Sequence, residues 1–341
     1  MCGDATNWDE DAYRETVLRE REIQTRTVFR TAWAPPYTSN LDTLLVASSD
    51  GSVASYSISS SVVASKLKNP FGFVNADTDE LLAEPNCFVQ AHAGPAYDVK
   101  FYGDGEDALL LSCGDDGQIR GWRWKEFSSS NYSVSSQGND IKPVLDVVNP
   151  QHKGPWGALS PVPENNAIAV NTQGGSVFAA SGDSCAYCWD VETGKVKMVF
   201  KGHMDYLHCI VARNSSNQVR RMGQHEFGCT QVIDPARDLK LKGSASWVGC
   251  VALDASESWL ACSSGRNISL WNLPASECVS KIPTRACVQD MSFDNNQCAP
   301  SSSFSISLHP AGVMAVGGYG CLVDVISQFG SHMCTFRCQC V

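Results

Sequence analysis

Cys185 and Cys188 frame the segment Cys185-Ala186-Tyr187-Cys188. Two thiols at that interval are what structural zinc sites and thiol–disulfide exchange use. Both chemistries need the two sulfurs on one side of the backbone. Here the flanking residues read as a strand, and positions three apart on a strand face opposite sides of the sheet. A tetrahedral zinc would also require a second ligand pair of suitable spacing, which the neighbouring sequence does not offer. The pair therefore reads as two buried thiols. The chain also carries seven histidines among many Ser and Asp residues, enough to compose a nucleophilic triad on paper. It has no G-x-S-x-G elbow to present a nucleophile. Gly317, Gly318 and Gly320 do not complete G-x-G-x-x-G, and no phosphate-binding P-loop occurs. The expectation is a chain without catalytic residues, cofactor or metal.

A second polar set has a different use. His92, Ser112, Asp116 and Trp122 fall where a histidine enters a small sheet, a serine sits on its second strand, an aspartate in the following turn and a tryptophan on the third strand. Such a chain of partners satisfies buried polar groups and ties strands together, so the set is expected to hold structure rather than perform chemistry.

The elements that must position these residues recur. Trp122, Trp189 and Trp271 each close a short strand that follows a tight polar turn. A unit of ~40 to 45 residues, opened by a Gly-His pair such as Gly202-His203 and closed by Trp-Asp such as Trp189-Asp190, is the signature of a four-stranded WD40 blade. The fold class expected is all-β, a WD40 β-propeller of about seven blades of ~42 residues each.

Residues 1–26 read as an N-terminal arm with a short amphipathic helix, from the charge density of Asp9 to Arg26 and the spacing of Tyr13, Val17 and Leu18. Residues 27–341 read as the propeller. In blade one, Asp50-Gly51 joins two strands as a hairpin, with Tyr56 near the usual tryptophan position. Blade two carries the His92 set and is followed by a long loop over 125–153, rich in Ser, Asn and Gly. Blade three spans Trp156 to Phe200. Blade four opens at Gly202-His203 and then loses its pattern across the irregular segment 217–245. Trp189 and Trp271 are 82 residues apart, about two periods of ~41, so one tryptophan strand is missing midway. Read with the frame moved by one base, the codons of Arg220 to Gly228 permit Glu-Asp-Gly-Thr-Thr-Arg-Ile-Trp, a complete turn and strand at the expected place. Blade five (Val248 to Ile282) and blade seven (Phe304 to Phe336) read as intact. Between them the segment 294–303 is irregular, and roughly 25 to 30 residues are absent after Gln297 when measured against the repeat. Blades four and six are thus expected to be incomplete.

Composition bounds the class. Hydrophobic residues make up 43% of 341, and the longest apolar runs, such as Ala167 to Val170, are strand-length, far below the ~20 residues of a membrane helix. No basic stretch and apolar core opens the chain, so a cytosolic or nuclear protein is expected. The sixteen cysteines then read as small buried hydrophobes, and the sequons at Asn131, Asn214 and Asn267 as chance matches. A formal net charge of −10 repels phosphate backbones and disfavours direct binding of nucleic acid.

The stretches Lys153 to Ala167, Gly182 to Glu192, Phe200 to His203, Ser307 to Gly312 and Gly330 to His332 resemble the THO complex subunit 6 family in its plant form. The resemblance implies a non-catalytic nuclear subunit of the THO/TREX assembly, which couples transcription and processing to messenger RNA export. It implies the other THO/TREX subunits as partners, with RNA contacted only indirectly. The alternative reading is a substrate receptor of a cullin-4 ubiquitin ligase. The box that contacts the cullin-4 adaptor ends in Trp-Asp-x-Arg, whereas Trp189-Asp190-Val191 is followed here by Glu192, a reversal of charge.

Overall fold

The structure is a computed structural model that describes residues 9–35, 43–68, 81–129, 141–214, 247–284, 287–294, 297–301, 304–309, 313–318, 321–327 and 331–338. The predicted reading of Arg220 to Gly228 and the whole of the irregular segment 217–245 lie outside the described residues. An N-terminal helix α1 (Glu10–Thr25) precedes β1 (Val28–Trp33), β2 (Thr43–Ser48) and β3 (Ser52–Ser57). Helix α2 (Ile58–Lys68), β4 (Leu81–Ala83) and β5 (Cys87–Gln90) follow. Next come β6 (Ala96–Tyr102), β7 (Leu109–Gly114), β8 (Gln118–Arg123), helix α3 (Trp124–Ser129) and β9 (Leu145–Val148). Then β10 (Asn165–Asn171), β11 (Ser176–Ser181), β12 (Ala186–Asp190) and β13 (Val196–Phe200) form a meander. A second meander is β14 (Val251–Leu253), β15 (Trp259–Ser264), β16 (Asn267–Asn272) and β17 (Glu277–Pro283). The chain ends with β18 (Asp290–Asp294), β19 (Gln297–Ser301), β20 (Ser305–Leu308), β21 (Met314–Gly317), β22 (Leu322–Ile326) and β23 (His332–Cys338). No described helix is long and apolar enough to cross a membrane.

These strands form sheets in the orders β1-β2-β3-β5, β6-β7-β8-β9, β10-β11-β12-β13, β14-β15-β16-β17 and β20-β21-β22-β23-β4, plus the two-stranded β18-β19, antiparallel throughout except for the β23–β4 pair. The fold is an all-β WD40 propeller. Its blade count corrects the expected seven: among the described residues five blades are full. Blade six is a hairpin because only residues 302–304 separate β19 from β20, too few for two further strands. In place of blade four's first strand, residues 207–214 run without ladder pairing. They are held by Asn166 Nδ2 on the Leu207 carbonyl (3.1 Å), Asn171 Nδ2 on the Arg213 carbonyl (3.0 Å) and the Asn214 amide on Glu257 Oε1 (2.6 Å). The long loop expected over 125–153 is also corrected. It contains most of α3 and all of β9, whose Leu145 and Val147 turn inward while Asp146 and Val148 face out. A four-residue strand inside a Ser- and Asn-rich stretch shows little periodicity of its own; pairing with β8 defines it.

The ring closes through a parallel pairing in which β4 adds to β23, with Phe336 opposite Leu81 and Cys338 opposite Ala83. Chain-distant segments thus share one sheet, in which β4 covers β23 and forms the outer edge itself. The core lies between blades rather than inside any one. On β2, Leu44 and Val46 pack toward the last sheet against Val323, Val325 and Phe336, while Leu45 and Ala47 pack toward the second sheet against Val99, Leu110 and Trp122. Alternation of side chains sends each face into a different core, which is why this strand is an unbroken apolar run.

Candidate interaction face

The hairpin turns between second and third strands gather on one face of the ring. In blades one, two and three an aspartate opens the turn and accepts from the backbone two residues on: Asp50 from Ser52 N, Asp116 from Gln118 N and Asp183 from Cys185 N, each at 3.1 Å. The next position takes a positive φ, at Gly51 (84°), Gly117 (70°) and Ser184 (65°). The segments entering the following blade return to these turns. The His92 amide donates to the Gly51 carbonyl and the Asn149 amide to the Gly117 carbonyl, both at 3.0 Å.

In blade two the His92 ring sits between Asp116 Oδ1 (2.9 Å from Nδ1) and Ser112 Oγ (2.8 Å from Nε2). Burial works to raise the Asp116 carboxyl, but hydrogen bonds from His92 and from the Gln118 and Ala93 amides outweigh it and hold the group below the usual carboxylate range. Trp122 is buried beside Trp124 and Phe127.

Blade three departs from that arrangement. Cross-strand register makes Ala179 the counterpart of Ser112, since Ala179 faces Tyr187 as Ser112 faces Arg120. Asn149 takes the backbone position of His92 and donates through Nδ2 to Ser181 Oγ (3.2 Å) and Asn165 Oδ1 (2.7 Å). Trp189 is buried, and its indole N–H finds no acceptor among the described residues. A second histidine, His152, approaches from outside, with Nε2 2.6 Å from Asp183 Oδ2. The Tyr187 hydroxyl donates to the same oxygen at 2.5 Å. Cys185 and Cys188 are both buried free thiols. Asp190 caps the next turn through Thr193 N (2.8 Å) and pairs with Lys197 (2.7 Å). Gly202 and His203 lie exposed on the way into blade four, and Trp271 is half-buried with its indole on Ser269 Oγ (3.0 Å).

Two exposed loops flank the Asp183 turn. One is a small hairpin with Lys153 bridged to Leu159, in which Gly157 N donates to the Gly154 carbonyl (3.0 Å). Pro155 presets its turn, and Trp156 at the tip is 96% exposed. The other follows β13, whose Phe200 pairs with Ala186; it carries Met204, fully exposed, and Tyr206. Large apolar side chains left exposed on two loops that flank one turn are candidate anchors for a protein partner. Sequence reading placed Trp156 only at the start of blade three; Gly154-Pro155-Trp156-Gly157, a turn former around an aromatic, was the available signal.

At the centre, the innermost strands enclose a cavity of about 540 Å³ whose lining includes Arg30, Asp98, Lys100, His208, Cys209 and Asp290. Arg30 of β1 reaches Asp98 Oδ1 (3.1 Å) and Asp290 Oδ2 (2.7 Å). Each carboxylate also crosses to the next blade: Asp98 Oδ2 accepts from Ile168 N (3.0 Å) and Asp290 Oδ2 from Ile306 N (2.8 Å). These charges are consumed in joining blades. The sequence carries one signal for them, an arginine inside the strand Val28 to Trp33.

The family described as WD domain, G-beta repeat matches residues 237–272. THO complex subunit 6 of Arabidopsis thaliana is 56% identical over 99% of this chain and 99% of its own length. That alignment spans 369 positions against 341 residues, so at least 28 of its positions face no residue of this chain. THO complex subunit 6 of Homo sapiens is 26% identical over 82% of this chain and 84% of its own length, and that of Drosophila melanogaster 26% over 59% and 56%. With a propeller fold and identity of this extent along nearly its whole length, the chain belongs to the THO complex subunit 6 family.

Proposed function

We propose that this protein is a non-catalytic scaffold subunit of the THO/TREX complex, acting in the nucleus in messenger RNA processing and export through protein–protein contacts. The observation that carries the reading is the 56% identity over 99% of the chain to a protein named as a THO complex subunit. The propeller supports it, because rigid blades present loops to partners and the described polar sets are spent on structure. Trp156, Leu159, Met204 and Tyr206, all exposed around the Asp183 turn, supply the contact with other THO subunits. RNA is reached through those partners, in keeping with the net charge of −10.

Affinity purification of the tagged chain from nuclei of its own organism, with mass spectrometry of the bound proteins, tests this. The expected result is recovery of the other THO subunits. A cullin-4 adaptor in their absence, or chaperones alone, overturns it.

A further inference from the structure

We infer that His152, Asp183 and Cys185 form a binding site for a divalent transition metal of the zinc class, fixed to the base of the Trp156 hairpin. Three observations converge. An imidazole nitrogen of His152, a carboxylate oxygen of Asp183 and Cys185 Sγ lie within 4.8 Å of one another. Imidazole, carboxylate and thiolate are the ligand types that zinc takes, and three protein ligands leave a fourth position for water or a donor from a partner. Ligand atoms sharing a tetrahedral zinc at ~2.0 to 2.3 Å stand roughly 3.3 to 3.7 Å apart. The His152–Asp183 distance of 2.6 Å must therefore open by about 1 Å as the ion enters. The half-exposed His152 side chain has room to do this.

The surroundings already orient the ligands. Asp183 Oδ1 is occupied by the Cys185 amide (3.1 Å), which turns Oδ2 toward His152. Tyr187 Oη lies 2.5 Å from Asp183 Oδ2 and 3.4 Å from His152 Nε2, an outer oxygen that steadies the carboxylate. The backbone of His152 is pinned at both groups: its amide donates to Ser160 Oγ (3.0 Å), and its carbonyl accepts from Ser160 N (2.8 Å). In blade two the equivalent aspartate is used up by a histidine inside the blade. In blade three Asn149 has taken that inner place, and the histidine that reaches the aspartate stands at the surface, where an ion can enter. The ligand set joins the turn of blade three to the loop before it, so a bound ion would clamp the Trp156 hairpin to the blade. It does not use Cys188.

The test uses the full chain, reduced and stripped of metal with a chelator, then titrated with Co²⁺ as a spectroscopic probe. The expected result is one Co²⁺ per chain, with a thiolate-to-metal charge-transfer band and tetrahedral d–d bands that Zn²⁺ abolishes. Cys185→Ser removes the charge-transfer band, whereas Cys188→Ser keeps it. His152→Gln and Asp183→Asn each weaken binding by about 10-fold or more. His152→Gln also removes the His152–Asp183 hydrogen bond, so its metal-free thermal midpoint is measured alongside and its Co²⁺ affinity is read at a temperature where both proteins are folded. Zn²⁺ raises the midpoint of the wild-type chain and leaves that of His152→Gln unchanged. Substoichiometric uptake, a charge-transfer band that survives Cys185→Ser, or equal affinity in wild type and His152→Gln overturns the site.

Discussion

Arg30 and Asp290 are 260 positions apart in the chain and 2.7 Å apart in the structure, joined by a charge-assisted hydrogen bond at the centre of the ring. Asp98 lies on the other side of the same guanidinium at 3.1 Å. Burial opposes the charge on Arg30, but the two carboxylates overcome it and raise its pKa. One residue of β1 thus ties blade two to blade six. Arg30→Met leaves Asp290 without this cation and Asp98 with only the more distant Lys100 at 3.8 Å, and is expected to destabilise the protein by about 3 to 5 kcal/mol. Chemical denaturation of Arg30→Met, alone and combined with Asp98→Asn and Asp290→Asn, checks this. If the carboxylates are the cause, the triple variant recovers part of the loss.

His92→Ala strands Asp116 and Ser112 inside blade two and is expected to lower stability by about 3 kcal/mol, read from denaturant midpoints.

The Asp116 carboxyl is held below its ordinary value, despite burial, by His92 and two backbone amides. A depressed carboxylate contributes stability in full above its unfolded pKa of about 3.9 and loses it as pH falls through the folded value. Thermal midpoints measured below about pH 4 should therefore fall less steeply in Asp116→Asn than in wild type. Parallel slopes would contradict the assignment.

Two substitutions at one turn position should have opposite signs. Gly51 has a φ of 84°, and a Cβ there would meet the carbonyls of His92 and Gly94. Gly51→Ala is expected to destabilise by about 2 kcal/mol. Ser184 occupies the same place in blade three with a φ of 65°. Ser184→Gly relieves that strain and is expected to stabilise by up to about 1 kcal/mol. Calorimetry of the two variants decides both.

Trp156→Ser with Met204→Ser changes side chains that are 96% and 100% exposed. Stability should stay within about 0.5 kcal/mol of wild type. Recovery of THO subunits in pull-downs should drop sharply, and full recovery would move the contact away from this face.

Much of this protein was legible from local patterns. The Asp-Gly turns at 50–51 and 116–117, the apolar strand runs, the tryptophans at 122, 189 and 271 and the His92 set all report short-range geometry, because turn conformation and strand alternation depend on neighbouring residues. The stretches from Lys153 to Glu192 also carried the family. The sequence could not say how many blades would complete, because a strand such as β9 exists only where β8 is there to pair with it. Nor could it join β4 to β23, bring Arg30 between Asp98 and Asp290, or set His152 rather than Asn149 against Asp183. Those relations link segments from 31 to 260 residues apart. They follow from how the closed ring stacks blade on blade, which no local periodicity encodes.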